Sequence, residues 1–193
     1  MFTGGERPPG MGSLLCAELL DFAAAERRQG ASDPLPSCRP GECAGLGHLP
    51  RLARALAPEP ADAAPALLRR FGTALFDVLL RRYPSFFVGI ASTPELVAAF
   101  ARDLAAEVAK LAPGVALPAV TVEPAGGEAR GVRFSCRFPD ARADAAPLVE
   151  GLLLGSARHF GEPLVVACTP DAESGVASFT VAPRARAASG RAG

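Results

Sequence analysis

The chain has 193 residues, of which 49% are hydrophobic, and this suffices for one compact domain with a sizeable core. Basic and acidic residues both number 20, so the net charge of zero favours neither nucleic acid nor an anionic membrane surface as the main partner. No uninterrupted apolar run approaches the ~20 residues that span a bilayer. Residues 1–12 are polar and rich in Gly and Pro, unlike a signal peptide. We therefore expect a cytoplasmic protein without a membrane span, whose five cysteines are reduced thiols.

Helical periodicity dominates the N-terminal half of the chain. Apolar residues recur at helical spacings in three stretches, which predicts helices over residues 13–28, 49–56 and 65–82. The stretch between the first two helices, 30–47, is dense in Pro, Gly, Ser and Cys and is typical of a loop. Residues 1–12 are predicted to be a flexible lead-in.

A fourth helix is predicted after an aromatic corner at Tyr83–Phe87. The Thr93 hydroxyl is predicted to cap this helix, because Pro94 then takes the favoured first helical position. The helix closes at Pro113-Gly114. Its apolar face comprises Val97, Phe100, Leu104, Val108 and Leu111.

Strand-like alternation replaces helical periodicity in the C-terminal half. Strands are predicted over 115–122, 132–138, 164–168 and 176–181, and an amphipathic helix over 145–160. These elements predict an α+β fold with a helical N-terminal lobe, a four-stranded antiparallel sheet and a helix that crosses the sheet. We expect one domain over 13–182 and a disordered tail over 183–193.

The second predicted strand carries a polar row. Side chains alternate with period two, so Arg133, Ser135 and Arg137 share one face while apolar residues occupy the other. Two guanidinium groups and a hydroxyl on one face form a suitable grip for a carboxylate or a phosphate. The alternative interpretation is the solvated outer face of a half-buried sheet, which alternating strands commonly present.

Several stretches in order resemble one family. Leu104-Ala-Ala-Glu-Val-Ala-Lys-Leu111, followed by Pro113 and Pro118, is similar to a stretch of the heme nitric-oxide/oxygen binding (H-NOX) family that reads Ile-His-Pro-Glu-Val-x-Lys-Leu-Tyr-Pro before a further proline. Arg133-Phe-Ser-Cys-Arg137 resembles the family's Tyr-x-Ser-x-Arg, which holds the heme propionates. The resemblance covers roughly residues 11–182. Weaker matches are Leu14–Phe22, Leu67–Gly72, Tyr83–Phe87 and Gly151–Glu162.

This resemblance implies an H-NOX-like fold, heme as a possible cofactor, and gas sensing reported to a kinase-type or cyclase-type signalling protein in trans. The implied cofactor-binding positions are Ser135, Arg137, Arg133, Ala105 and Pro118. Ala105 stands where the family has its iron-ligating histidine, and alanine has no lone pair to donate. Arg133 stands where the family has tyrosine. Pro118 matches the proline that presses on the macrocycle.

Other candidate ligands are weaker. His48 is interpreted as a loop-to-helix residue and His159 as a structural residue near a helix end. The spacing Cys38-x4-Cys43-x4-His48 offers zinc ligands but lacks an evident fourth one, so no metal site is predicted. No nucleophile, base and orienting group come together in the sequence, and no enzymatic activity is predicted.

Three hypotheses for the function follow. The first is a heme-based gas sensor of H-NOX type, in which the iron is held by something other than residue 105 or the heme is held only through its edges. The second is a heme-free sensor whose old heme pocket binds an amphipathic carboxylate through Ser135 and Arg137, with Arg133 as a further contact. The third is a protein-interaction module with a filled core and no ligand.

Overall fold

A computed structural model describes residues 11–27, 46–111, 117–123, 131–139, 143–171 and 173–184. Most of the predicted loop, the turn predicted between the first two strands and nearly all of the predicted tail lie outside the described residues.

Six α-helices are formed by the described residues. They are α1 Met11–Arg27, α2 Leu49–Leu56, α3 Ala63–Arg82, α4 Thr93–Ala99, α5 Ala105–Leu111 and α6 Ala146–His159. Short 3-10 turns precede α2 and α6 and follow α3; they are Leu46–His48, Ala143–Ala145 and Pro84–Phe87. A π-helical segment, Phe100–Leu104, joins α4 to α5. None of the described helices is long and apolar enough to cross a membrane.

Four strands form one antiparallel sheet. They are β1 Ala119–Glu123, β2 Val132–Arg137, β3 Leu164–Asp171 and β4 Val176–Pro183. Their order across the sheet is β1-β2-β4-β3, and every neighbouring pair is antiparallel. The predicted α+β class and four-stranded antiparallel sheet are confirmed. The first strand begins at Ala119, later than the predicted residue 115.

Two apolar cores flank α6. One lies in the helical lobe and centres on buried residues of α1, α2 and α3, such as Leu19, Leu49 and Leu68. The other lies between α6 and the inner face of the sheet, where the Phe134 and Phe179 rings stack with their centroids 5.1 Å apart. The helix α6 contributes to both cores and therefore joins the helical lobe to the sheet.

The prediction that Thr93 caps α4 was wrong. Ser92 is the N-cap, and its Oγ accepts a hydrogen bond from the Glu95 backbone N–H at 3.3 Å. Thr93 is fully buried, and its hydroxyl lies 3.1 Å from the Ser156 hydroxyl on α6. Its backbone N–H donates to a Glu162 carboxylate oxygen at 2.9 Å. Thr93 is therefore hydrogen-bonded to α6 and to Glu162 just after it, and Ser92 caps α4 instead.

The contact between α3 and α6 is unusually close because glycines lie at it. A Cβ added at Gly151 would lie 2.0 Å from the Arg69 carbonyl oxygen, a distance that real Cβ atoms do not show. A Cβ added at Gly72 would lie 2.3 Å from the Leu148 carbonyl oxygen. In both cases the obstacle is backbone, which cannot turn aside as a side chain can. The two helices therefore pack backbone to backbone.

We expect Gly151→Ala to lower the free energy of unfolding by about 3 kcal/mol, because overpacking against a rigid backbone forces the two helices apart. Gly155→Ala should cost less, because the nearest atom to its added Cβ, the Phe76 Cβ, lies at 2.7 Å and leaves more room than the 2.0 Å found at Gly151. Urea unfolding of both variants and of the parent chain measures the change in the free energy of unfolding. Without a clash, alanine would instead stabilise the helix by up to about 1 kcal/mol through propensity, and that result would contradict the close contact.

Candidate functional site

A cavity of about 230 Å³ lies where the helical lobe meets the sheet. Its wall is built by α3, α4, α6, the inner face of β1 and β2, and the aromatic corner after α3. No polar atom of the described residues contributes surface to this wall. Seven of its residues are aromatic, and we call them the aromatic wall: Phe76, Tyr83, Phe86, Phe87, Phe100, Phe134 and Phe138.

The wall is buried on one side and half-exposed on the other. Phe134, Phe138 and Phe76 are almost fully buried, and they close the side formed by the sheet and α3. Tyr83 and Phe100, on the aromatic corner and the π-helical segment, are only half-buried. The cavity therefore opens to solvent between the aromatic corner and α4.

One thiol lies in the wall. Cys136 is 1% exposed, and burial raises the pKa of its thiol to about 12, with a smaller contribution from Cys168. A thiol with such a pKa stays protonated near neutral pH, and the thiolate, not the thiol, is the metal ligand and nucleophile. Cys136 therefore acts in the wall as a small apolar residue.

The polar row of β2 points away from this cavity. Phe134 and Cys136 line it, and because strand side chains alternate, their neighbours must face the other side of the sheet. Arg133 and Arg137 are exposed there and Ser135 is half-buried. A ligand-binding role for these three residues stays a prediction, and the geometry places such a role outside the cavity.

The outer face pairs these polar residues with other strands. Arg133 lies opposite Glu123 of β1, with 3.9 Å between Nε and a carboxylate oxygen. Ser135 lies opposite Thr121 on one side and Ser178 on the other. This pattern corresponds to the solvated outer face that the sequence left open as an alternative.

Of the two other predicted cofactor-binding positions, Pro118 lines the cavity and Ala105 does not. Pro118, just before β1, is buried and lines the cavity, and its role beside a cofactor stays a prediction. Ala105 is half-buried at the start of α5 and does not line the cavity. The π-helical segment precedes it, and the Ala105 backbone N–H reaches back five residues to the Phe100 carbonyl. Such an insertion changes which helix face the following residues occupy.

The other candidate ligands do not converge either. Cys38 and Cys43 lie outside the described residues. His48 is half-buried at the N-cap of α2. His159 is exposed near the end of α6, with its ring centroid 5.8 Å from that of Phe76. Within the described part of the chain, no group of three or more His, Cys, Asp or Glu side chains is placed to hold a metal ion.

The fold and the cavity define a small α+β domain with an apolar cavity where its helical lobe meets the sheet. No protein-family model and no curated protein sequence matches the chain. Solved structures do match: an Fe(II) unliganded H-NOX protein from K. algicida superposes with a TM-score of 0.68 at 16% identity, covering 91% of this chain and 98% of that one. The chain therefore has an H-NOX-like fold, as the sequence resemblance implied.

Two structures from S. oneidensis agree with this result. An H-NOX mutant protein in the Fe(II) ligation state superposes with a TM-score of 0.67 at 17% identity, covering 92% of this chain and 98% of that one. A histidine-to-glycine mutant of an H-NOX domain in the Fe(II)CO ligation state gives a TM-score of 0.67 at 16% identity, covering 90% and 98%. At this level of identity the likeness concerns the fold alone.

The residues present do not fit heme, the group that this fold implies. A cavity of ~150 Å³ holds benzene, so a cavity of 230 Å³ is small for a tetrapyrrole with two carboxylate arms. No polar atom of the described wall is available to those carboxylates. Neither Ala105 nor the protonated Cys136 supplies an axial ligand to iron.

Sequence reasoning missed the aromatic wall. It identified the corner Tyr83–Phe87 and the apolar face of β2 separately, as packing elements. The available signal was the alternation that places Phe134 and Phe138 on one face. What it lacked was the approach of Phe100 and Phe76 from two helices, which only the tertiary structure shows.

The buried thiol of Cys136 predicts an alkaline loss of stability. Its pKa rises from the ordinary value of 9.0 to about 12 on folding, so the native state binds the proton more tightly. The protonated Cys136 thiol makes its full contribution to the free energy of unfolding below pH 9. That contribution is lost as the pH rises from about 9 to about 12, by at most about 1.4 kcal/mol per pH unit. Chemical unfolding of Cys136→Ala between pH 8 and about 11 should give a shallower decline than the parent chain. Parallel declines would show that this thiol ionises equally in both states.

Proposed function

We propose that the chain is a sensor-type domain that binds a small apolar molecule in the cavity and reports it to a signalling protein in trans. The cavity is the observation that supports this proposal, because a concave, mostly apolar cleft or cavity is the general form of a small-molecule site. The H-NOX-like fold adds support, since the similar structures are of H-NOX proteins described in Fe(II) and Fe(II)CO ligation states. A kinase-type or cyclase-type protein is the partner that the sequence resemblance implies.

The cavity also weighs against the filled-core alternative. An interaction module without a ligand would gain stability by packing this space, since each unfilled cavity costs contacts with its lining. Ala145 and Cys136 are small residues in the wall, and both leave room. The open volume is consistent with a molecule that supplies the missing contacts.

The carboxylate alternative has less support. It needs Ser135 and Arg137 beside the ligand, yet these side chains face the other side of the sheet from the cavity. A carboxylate inside the cavity would meet no polar atom of the described wall, and burying an unpaired charge is strongly unfavourable. A ligand without a charged group suits the geometry better.

A heme-based gas sensor is the second candidate function. One observation favours it: the histidine-to-glycine H-NOX mutant from S. oneidensis is described in the Fe(II)CO ligation state, and this chain superposes on it with a TM-score of 0.67. On this proposal the chain would hold the macrocycle through apolar contacts after the cavity widens, without a ligand from residue 105.

Heme reconstitution separates the two candidates. We expect the full chain, reconstituted with hemin and then reduced, to show no stoichiometric Soret band and no spectral change with nitric oxide. Ala105→His should remain without the band, because residue 105 does not line the cavity. The S. oneidensis H-NOX domain, treated in parallel, serves as the positive control.

The opposite outcome is equally informative. A stoichiometric Soret band that shifts with nitric oxide would replace the apolar-ligand proposal with the gas-sensor function. A band that develops only in Ala105→His would mean that the cavity accepts a macrocycle and that the missing histidine alone prevents it.

A further inference from the structure

Aromatic side chains concentrate at the cavity. The chain has 11 phenylalanines and one tyrosine and no tryptophan, and the aromatic wall contains seven of these twelve rings. Aromatic residues make up only 6% of the sequence, so their convergence on one small space is a property of this cavity. Leu, Val and Ala supply 12 of the 21 lining residues among those described, so the rings lie in a wall that is otherwise aliphatic.

Some rings of the aromatic wall pack against another aromatic ring of the protein, and others have no such partner. Phe76 meets Phe87 edge to face, with centroids 5.5 Å apart, and Tyr83 stacks on Phe86 at 5.6 Å. Within the described part of the chain, Phe100 and Phe138 contact no other ring. Ring pairs stabilise each other beyond the area that they bury, through the attraction of a ring edge for a ring face. A bound ring would supply the partner that unpaired rings lack.

Charge is excluded from the cavity on every side that the structure describes. The sheet turns Arg133 and Arg137 outward, and among the described lining residues the ionisable groups are the protonated Cys136 thiol and the Tyr83 phenol. A charged ligand would lose its hydration and gain no partner. The wall therefore discriminates against acids and amines.

The volume limits the size of the ligand. A cavity of ~150 Å³ accommodates benzene, and drug-sized ligands occupy sites of ~300 Å³ or more. The value of 230 Å³ lies between these. It suits a molecule of one or two fused rings.

We propose that the cavity selects a small, neutral aromatic molecule of one or two rings. This inference rests on the proposed ligand-binding function and names the ligand class of the same site. The aromatic wall provides the selectivity for rings, and the outward orientation of the β2 arginines provides the selectivity for neutral molecules.

Three probes of similar size test the proposal: naphthalene, its carboxylate 2-naphthoate, and its saturated counterpart decalin. We expect calorimetry on the full chain to give naphthalene an affinity at least ~100-fold above that of 2-naphthoate, because the carboxylate would be buried without a partner. In buffer saturated with each hydrocarbon, naphthalene should raise the melting temperature more than decalin.

A matched pair of variants ties the preference to the wall. Phe100→Leu removes an unpaired ring and keeps an apolar side chain, so naphthalene affinity should fall about three- to tenfold while the decalin effect is unchanged. Phe160→Leu is the control, because Phe160 does not line the cavity, and it should bind naphthalene like the parent chain. Should Phe100→Leu fail to fold, Phe138→Leu takes its place, because Phe138 is the other unpaired ring of the described wall.

The outcomes separate this inference from the function on which it rests. Binding of naphthalene with the stated preferences supports both. Equal or tighter binding of 2-naphthoate, or equal effects of decalin and naphthalene, overturns the ligand class and leaves a ligand-binding cavity. If none of the three probes binds to folded protein, the ligand class and the proposed function are both overturned.

Discussion

The backbone contact between α3 and α6 is the constraint on which the cavity depends. Gly72 and Gly151 let the two helices meet at a distance that no Cβ allows. Both helices also supply cavity wall, from positions near the contact such as Leu75 and Leu148. Because the obstacle at each glycine is backbone, the pair behaves as one rigid unit. A rigid wall cannot relax inward to fill an adjacent space, so the cavity persists where a looser helix pair would collapse into it.

The alternation of β2 is the second constraint, and it decides the chemistry of the cavity. A strand cannot place both its apolar residues and its arginines on one face. The register is held by the buried stack of Phe134 on Phe179 and by the Phe138 backbone N–H, which donates to the Gly175 carbonyl at 2.9 Å. A shift of one residue would exchange the two faces, expose Phe134 and bury Arg133, at a large cost in free energy. The apolar wall and the outward arginines are therefore consequences of one register.

Local patterns sufficed for most of the fold. Helix α2 has the predicted bounds 49–56, and α3 ends at the predicted Arg82, because strong apolar periodicity and flanking prolines fix these elements without tertiary help. Local chemistry could not decide between Ser92 and Thr93 as the cap of α4, since both side chains are capable of it. The choice depends on Ser156, 63 residues away in the sequence, whose hydroxyl hydrogen-bonds to that of Thr93.

The candidate site was harder to predict for a related reason. The sequence shows that Arg133, Ser135 and Arg137 share a face, but which face meets the cavity depends on α6 and β4. Periodicity gave no sign of the π-helical segment, because the apolar residues Phe100, Leu104 and Val108 keep ordinary helical spacing through it in the sequence. The segment nevertheless alters the direction of the Ala105 side chain. A match in sequence to the family's histidine position therefore does not place residue 105 at the cavity.

Fold and cofactor make separate demands on a sequence, and this chain meets only the first. An H-NOX-like fold needs apolar periodicity, a strand register and a close helix pair, and many residue combinations satisfy these demands. The chain can therefore superpose on an H-NOX structure with a TM-score of 0.68 at only 16% identity. Heme needs particular donors at particular points: an axial ligand, and polar groups for two carboxylates. Here Ala105 lacks a donor atom, the Cys136 thiol keeps its proton, and the arginines lie behind the sheet. A cavity whose described wall is apolar can bind a ligand through ring contacts and desolvation. Those forces favour a neutral ring and disfavour a charge, which is the physical basis of the proposed ligand class.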